Sequence, residues 1–153
     1  MNYTTEIIVE VPLETFIKIM DNADNMKHWQ RGLVSYEHIS GTPGEFGAKM
    51  KLNFIMGKRK LELIETITKR NLPHEFHANY ATKGVDNNQE NYFETTPEGY
   101  TKWTSKSEFI PLGFGMKLLT IFMKGAFKKQ SHQYMKDFKN FAEKGISVSN
   151  ATT

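Results

Sequence analysis

Between residues 33 and 110 the chain alternates apolar and polar side chains segment after segment, and only the stretch beyond Pro111 carries a long helical pattern. This order is the strongest constraint on the fold. An antiparallel sheet patterned this way has one apolar face to bury, and a single long helix is on hand to cover it. The clearest segment is residues 48–56. Ala48, Met50, Leu52, Phe54 and Met56 fall on every second position, with Lys49, Lys51 and Asn53 between them, as in a half-buried strand. Gly57-Lys58 makes a tight reversal into residues 61–68, Asn71-Leu72-Pro73 separates these from residues 75–82, and residues 84–87 turn into residues 89–95. Which face of residues 61–68 and 75–82 points inward is left open by their pattern.

Pro97-Glu98-Gly99 reads as a type I turn followed by a left-handed Gly. A loop of that length pairs Thr96 with Tyr100. It then sets Phe93 opposite Trp103, Asn91 opposite Ser105 and Gln89 opposite Ser107. Lys102, Lys106 and Glu108 alternate with Trp103, Ser105, Ser107 and Phe109, which predicts one wet face and one covered face.

Upstream, residues 3–11 predict a first strand, stopped by Pro12. Pro suits a helix start, Glu14 adds favourable charge to the first turn, and Phe16, Ile17 and Met20 give helical spacing. Asp21-Asn22 breaks this helix, and Asp24 is placed to cap a second short one reaching Trp29. Downstream, the pattern predicts one helix of about thirty residues, with Met116, Leu119, Met123, Phe127, Tyr134, Phe138 and Phe141 in a stripe and Gly145 as its C-cap. Residues 118–123 (LLTIFM) are apolar nearly all round, so burial on every side is the first expectation there, with the two short helices, a second subunit or a membrane surface open as cover for the side away from the cavity. Residues 1–145 read as one domain and 146–153 as a flexible polar tail.

The expected architecture is α+β: a curved antiparallel sheet of six or seven strands around a long C-terminal helix, with two short helices after the first strand. A curved sheet closed on one helix leaves space that ordinary side chains do not fill, and such a cavity is typically concave, mostly apolar and served by a few polar groups. The inward face carrying Phe93 and Trp103 also carries Gln89, Asn91, Ser105 and Ser107, whose burial costs free energy unless they are hydrogen-bonded. Candidate ligand contacts are Trp29, Met50, Leu52, Phe54, Asn91, Phe93, Trp103, Ser105, Leu119, Met123 and Phe127.

Little else in the sequence carries chemistry. There is no Cys, hence no disulfide or thiolate. The five His are scattered, and His74 and His77, three apart in a strand, point to opposite faces; no metal site is expected, since zinc needs three or four convergent ligands. Glu62 and Glu65 also oppose one another, and Asp137 and Glu143 lie on a Lys-rich helix. No nucleophile elbow, phosphate loop or dinucleotide fingerprint is present, so no cofactor is expected. His77, Tyr80 and Tyr92 are candidate general acids if they face inward. The net charge of +3 owes much to seven Lys in residues 111–145, read as a solvated helix face. No nucleic-acid motif accompanies them, and membrane contact is expected to be peripheral at most. The N-terminal MNYTTEIIVEVP lacks a basic region followed by a long apolar run, and no stretch approaches the ~18 apolar residues of a spanning helix. A cytoplasmic location is the expectation, with a homodimer allowed.

Several pieces in this order resemble one known group of proteins: the strand-Pro-x-Glu opening over residues 7–14, DNADNMKHW at residues 21–29, Gly41 with Gly47-Ala48, and the closing helix ending FKNFAEKG. Over about residues 3–144 the chain resembles the START-like (SRPBCC) superfamily, and within it the polyketide cyclase/dehydrase-like branch. The resemblance implies a helix-grip fold with a hydrophobic cavity, and places Trp29 at the cavity's edge. It supplies no invariant catalytic motif. Three functions stay open at this point: a carrier of a small hydrophobic ligand such as a lipid, isoprenoid or polyketide-like molecule; a cyclase or dehydratase using cavity Tyr, His or Asn; and an interaction module assisting a chaperone or lipid delivery.

Overall fold

Seven strands pair into one antiparallel sheet in the order β1-β7-β6-β5-β4-β3-β2, seen in a computed structural model that describes residues 1–149. The strands are β1 (Asn2–Val9), β2 (Leu33–Ser40), β3 (Lys49–Met56), β4 (Arg59–Asn71), β5 (Glu75–Thr82), β6 (Val85–Thr95) and β7 (Thr101–Pro111). Helices α1 (Leu13–Met20) and α2 (Met26–Trp29), with a 3-10 turn at Ala23–Asn25 between them, link β1 to β2, which lie at opposite edges of the sheet. Helices α3 (Phe114–Phe122) and α4 (Lys124–Lys144) close the chain.

The loop chemistry sets the register as expected. The Thr96 N–H donates to the Tyr100 carbonyl at 2.9 Å, Gly99 sits at φ +84°, and Phe93, Asn91 and Gln89 lie opposite Trp103, Ser105 and Ser107. In β3, Leu52 and Phe54 are buried while Lys49 is exposed, so the strand phase stands.

Two local expectations are corrected. The 3-10 turn is capped by Asn22, whose side-chain oxygen accepts from the Asp24 N–H at 3.0 Å in an Asx turn, while the Asp24 carboxylate accepts from the Tyr36 hydroxyl instead of capping α2. The thirty-residue helix is two helices, broken at Met123, whose backbone (φ −103°, ψ 9°) is not helical. Gly125 lies two residues on, a residue that gives up ~1 kcal/mol of helix propensity against Ala. Gly145 caps α4 in the left-handed conformation, φ +68°, as its position predicts. Residues 146–149 fold back on α2: the Val148 N–H donates to the His28 carbonyl, and His28 Nδ1 lies 2.8 Å from the Ser147 hydroxyl. Residues 150–153 of the expected tail lie outside the described residues.

The core forms two apolar clusters at different places on the concave face. One joins Val9, Phe16, Trp29, Phe93, Trp103, Met135 and Phe138. Its rings meet at tilted and edge-on angles, for example Phe16 to Phe138 at 4.8 Å and Trp29 to Trp103 at 6.2 Å, the arrangement favoured by ring quadrupoles. The other joins Met26, Leu33, Leu52 and Phe54, with Met50, Leu61, Leu63 and Tyr80 packed on it. Arg70 fastens the short helices to the sheet, donating to both Asp21 carboxylate oxygens at 2.8 and 2.7 Å and to the Gly44 carbonyl.

Candidate functional site

Between the two clusters the concave face is polar. Cross-strand pairing lines up Met50, Glu65, Tyr80, Asn87 and Phe109 in one row over β3, β4, β5, β6 and β7. A second row brings Gln89 beside Ser107 and Ser107 beside Tyr3, and a third brings Asn91, Ser105 and Thr5 together. Since alternate residues of a strand share a face, all these side chains point into the grip. Thr5, Glu65, Asn91, Ser105 and Ser107 are buried.

Glu65 is the most consequential of them. It is 7% exposed, and the Tyr80 hydroxyl hydrogen-bonds to its carboxyl. No Lys or Arg is paired with it among the described residues. Burial pushes its carboxyl pKa up, against a smaller downward pull from Tyr80. Tyr80 is pushed well up in turn, first by burial and then by the charge of Glu65. Beyond Tyr80 in the same row, the Asn87 side-chain oxygen is buried without a hydrogen-bond partner, as is the Thr5 hydroxyl in the third row. Such orphaned acceptors are uncommon in folded proteins.

Helix α4 meets this strip through Ser131, 2.7 Å from the Tyr3 hydroxyl, and Phe127, stacked on Phe109; Gln130 and Tyr134 share that side of the helix by their spacing. Tyr134 is raised to about 12, chiefly by burial. Tyr80 and Tyr134 are both half-buried. Tyr80 also packs on the second apolar cluster. At the aromatic end of the grip an indentation between Ile17, Met20, Leu72, Phe76 and Phe93 amounts to ≈ 40 Å³, far below the ~300 Å³ at which ligand pockets begin.

The residues expected to touch a ligand therefore separate into groups. Trp29, Phe93 and Trp103 belong to the aromatic cluster, and Met50, Leu52 and Phe54 to the second. Asn91 and Ser105 lie between, but the Asn91 oxygen is taken by the Trp103 indole N–H at 2.9 Å. Replacing Asn91 would orphan that indole before it changed any ligand contact. Phe127 stacks on Phe109 at 4.8 Å. Leu119 and Met123 are exposed, and the expectation that residues 118–123 are buried on every side is corrected: the break at Met123 lets α3 swing along the sheet's end instead of continuing α4. Of the three candidate general acids only Tyr80 faces inward. His77 and Tyr92 meet on the outer face at 5.1 Å, where the Tyr92 hydroxyl donates to Glu90.

Glu65 and Asn87 are not among the ligand contacts expected from the sequence. Leu61, Leu63 and Ile67 share alternate positions with Glu65, a partial signal that Ile64 on the opposite phase keeps from being decisive. The sign of the effect of Glu65 on stability follows from its raised pKa. The folded chain holds the Glu65 proton more tightly than the unfolded chain does, so this contribution is complete below the ordinary carboxylate pKa and is lost as pH rises through the raised one. Glu65→Gln should match the parent protein in acid and become more stable than it at neutral pH, as measured by urea midpoints across pH. A pH-independent difference would mean that the carboxyl is hydrated.

No family model matches the chain, and no curated protein matches it in sequence. Solved structures do. The crystal structure of Ara h 8.0201 superimposes with a TM-score of 0.73 at 14% identity, covering 93% of this chain and 97% of that one. TTHA0849 from Thermus thermophilus gives 0.74 at 11% identity, covering 93% and 97%. The solution structure of BH1534 from Bacillus halodurans gives 0.71 at 12% identity, covering 94% and 97%. At these identities the likeness establishes the fold: a helix-grip architecture spanning nearly the whole chain.

Proposed function

We propose that the protein binds a small, mostly apolar molecule between α4 and the sheet, with a hydroxyl or similar donor group of that molecule set against the Glu65–Tyr80–Asn87 row. The observation that carries this reading is the unpartnered Asn87 oxygen beside Tyr80 on a face otherwise flanked by Met50, Leu63 and Phe109. A buried acceptor without a partner costs ~1–3 kcal/mol, and a ligand donor would return that free energy while the ligand's apolar body covers the surrounding side chains. The resemblance to the START-like superfamily supports the same reading, as does the likeness in fold to the structures above.

A second reading, a cyclase or dehydratase of the polyketide cyclase/dehydrase-like type, is favoured by one feature. Glu65, buried with its carboxyl pKa raised and hydrogen-bonded to Tyr80, makes an inward carboxyl–phenol pair of the kind that general acid catalysis uses. Tyr80 would touch the reacting oxygen, and Glu65 would set its proton affinity.

One experiment tests both. Displacement of the dye 1-anilinonaphthalene-8-sulfonate should show 1-decanol binding more tightly than 1-chlorodecane by ~1–3 kcal/mol, the worth of a buried hydrogen bond. Asn87→Leu should erase that preference and leave 1-chlorodecane binding as well or better. Equal affinities in the parent protein would defeat the proposed polar pole. Native mass spectrometry of the purified protein then separates the readings: a retained molecule returned with its mass unchanged supports binding, and one returned lighter by a water supports a dehydratase.

A further inference from the structure

Helix α3 presents a surface that the internal site does not explain. Its inner side is fastened to the sheet: Met116 packs on the β5–β6 turn, its Cγ 3.1 Å from where a side chain on Gly84 would begin, and the Leu112 N–H donates to the Gly84 carbonyl. Thr120, one turn on from Met116, is buried. The outer side is bare. Phe114, Leu118 and Ile121, at i, i+4 and i+7 and hence on one face, are 76%, 43% and 60% exposed, and Leu112 just ahead of them is 57% exposed. Single exposed apolar residues are ordinary, but an aligned set is not.

Along the chain from the end of β7 into α4 the charge has one sign. Residues 109–136 contain Lys117, Lys124, Lys128, Lys129 and Lys136 and no Asp or Glu. All five Lys are exposed, and the ion pairs found among the described residues involve none of them. We propose that α3 docks the protein on an anionic lipid surface, with Phe114, Leu118 and Ile121 entering the headgroup boundary and the Lys side chains meeting lipid phosphates. The charge pattern weighs against a second copy of this chain, because a two-fold contact of residues 109–136 would press lysines against lysines with no carboxylate in that stretch to offset them. The composition favours lipid over a protein partner: a row of exposed apolar side chains on one helix face, in a stretch whose only charges are Lys, inserts into a fluid anionic interface without needing a matching groove.

Co-sedimentation of the full chain with vesicles tests this. Binding is expected to phosphatidylcholine vesicles containing phosphatidylglycerol, weak or absent on pure phosphatidylcholine, and reduced by added salt. Lys124→Gln with Lys128→Gln should weaken it about tenfold or more, and Leu118→Glu with Ile121→Glu should abolish it. These positions are exposed, so thermal melts should show each variant folded as the parent is. The proposal is overturned if the parent protein ignores the anionic vesicles, if the Leu118/Ile121 variant binds them equally well, or if the parent sediments as a dimer that this variant disrupts. Dye displacement by 1-decanol should be unchanged in both variants, so failure here leaves the internal site standing, and the reverse.

Discussion

Phe138→Ala should destabilise the protein by ~3–5 kcal/mol, the largest single-residue loss expected here. Phe138 is 0% exposed and is the ring on which α4 meets the rest of the core. It touches Phe16 of α1 at 4.8 Å, Trp29 of α2 at 5.2 Å and Trp103 of β7 at 5.6 Å. Truncation removes buried ring surface and leaves a void bounded by three rigid aromatics, which cannot collapse into it. For a chain of this size the thermal midpoint should fall by roughly 10 °C. Phe114→Ala is the matched control: the same atoms are lost from a ring that is 76% exposed, and the change should stay within ~0.5 kcal/mol. Equal costs at the two positions would mean that the assigned faces of α3 and α4 are wrong.

Arg31→Leu is expected to rank second, at ~2–3 kcal/mol. Arg31 donates from Nε and a terminal nitrogen to the two oxygens of Asp137, both at 3.1 Å. Asp137 is 3% exposed whereas the Arg31 side chain is 34% exposed. The asymmetry sets which partner matters: removing the arginine leaves a carboxylate in the interior without its counter-charge, while removing the carboxylate leaves an arginine that reaches water. The Gln133 amide still donates to Asp137 at 2.9 Å, which keeps the cost below that of a fully stranded charge. Arg31→Leu combined with Asp137→Leu should recover most of the loss, because the buried charge is gone as well. Urea denaturation of the two single variants and the double variant measures this. A double variant as unstable as the sum of the singles would show that the two residues act independently.

Much of the fold was legible because its signals are local. The alternation in residues 48–56 fixed which side of β3 is inward, and the Pro97-Glu98-Gly99 turn fixed the β6–β7 register residue by residue, since turn length and strand period are properties of a few neighbouring side chains. Pro12, Gly145 and the spacing of Phe138 and Phe141 likewise carry their meaning within a turn or two of helix. The count and order of elements, with one long helix for one sheet, then left a helix-grip arrangement as the way to bury the apolar face.

What only the tertiary structure decided involves residues far apart in the chain or small differences in free energy. Residues 61–68 hold apolar side chains on both faces, Ile64 as well as Leu63 and Ile67, so periodicity alone did not say that Glu65 points inward; its pairing with Tyr80, and Tyr80's with Asn87, came from strand neighbours. Arg31 and Asp137 lie 106 residues apart, and nothing near either one announces the other. The break at Met123 turns on helix propensities of about a kilocalorie, which the packing of Met116 and Thr120 against the sheet's end can outweigh. Local pattern determines which side of an element is apolar. Which apolar surface meets which, and which is left bare as on α3, depends on how the whole sheet curves, a property that no short window of the sequence contains.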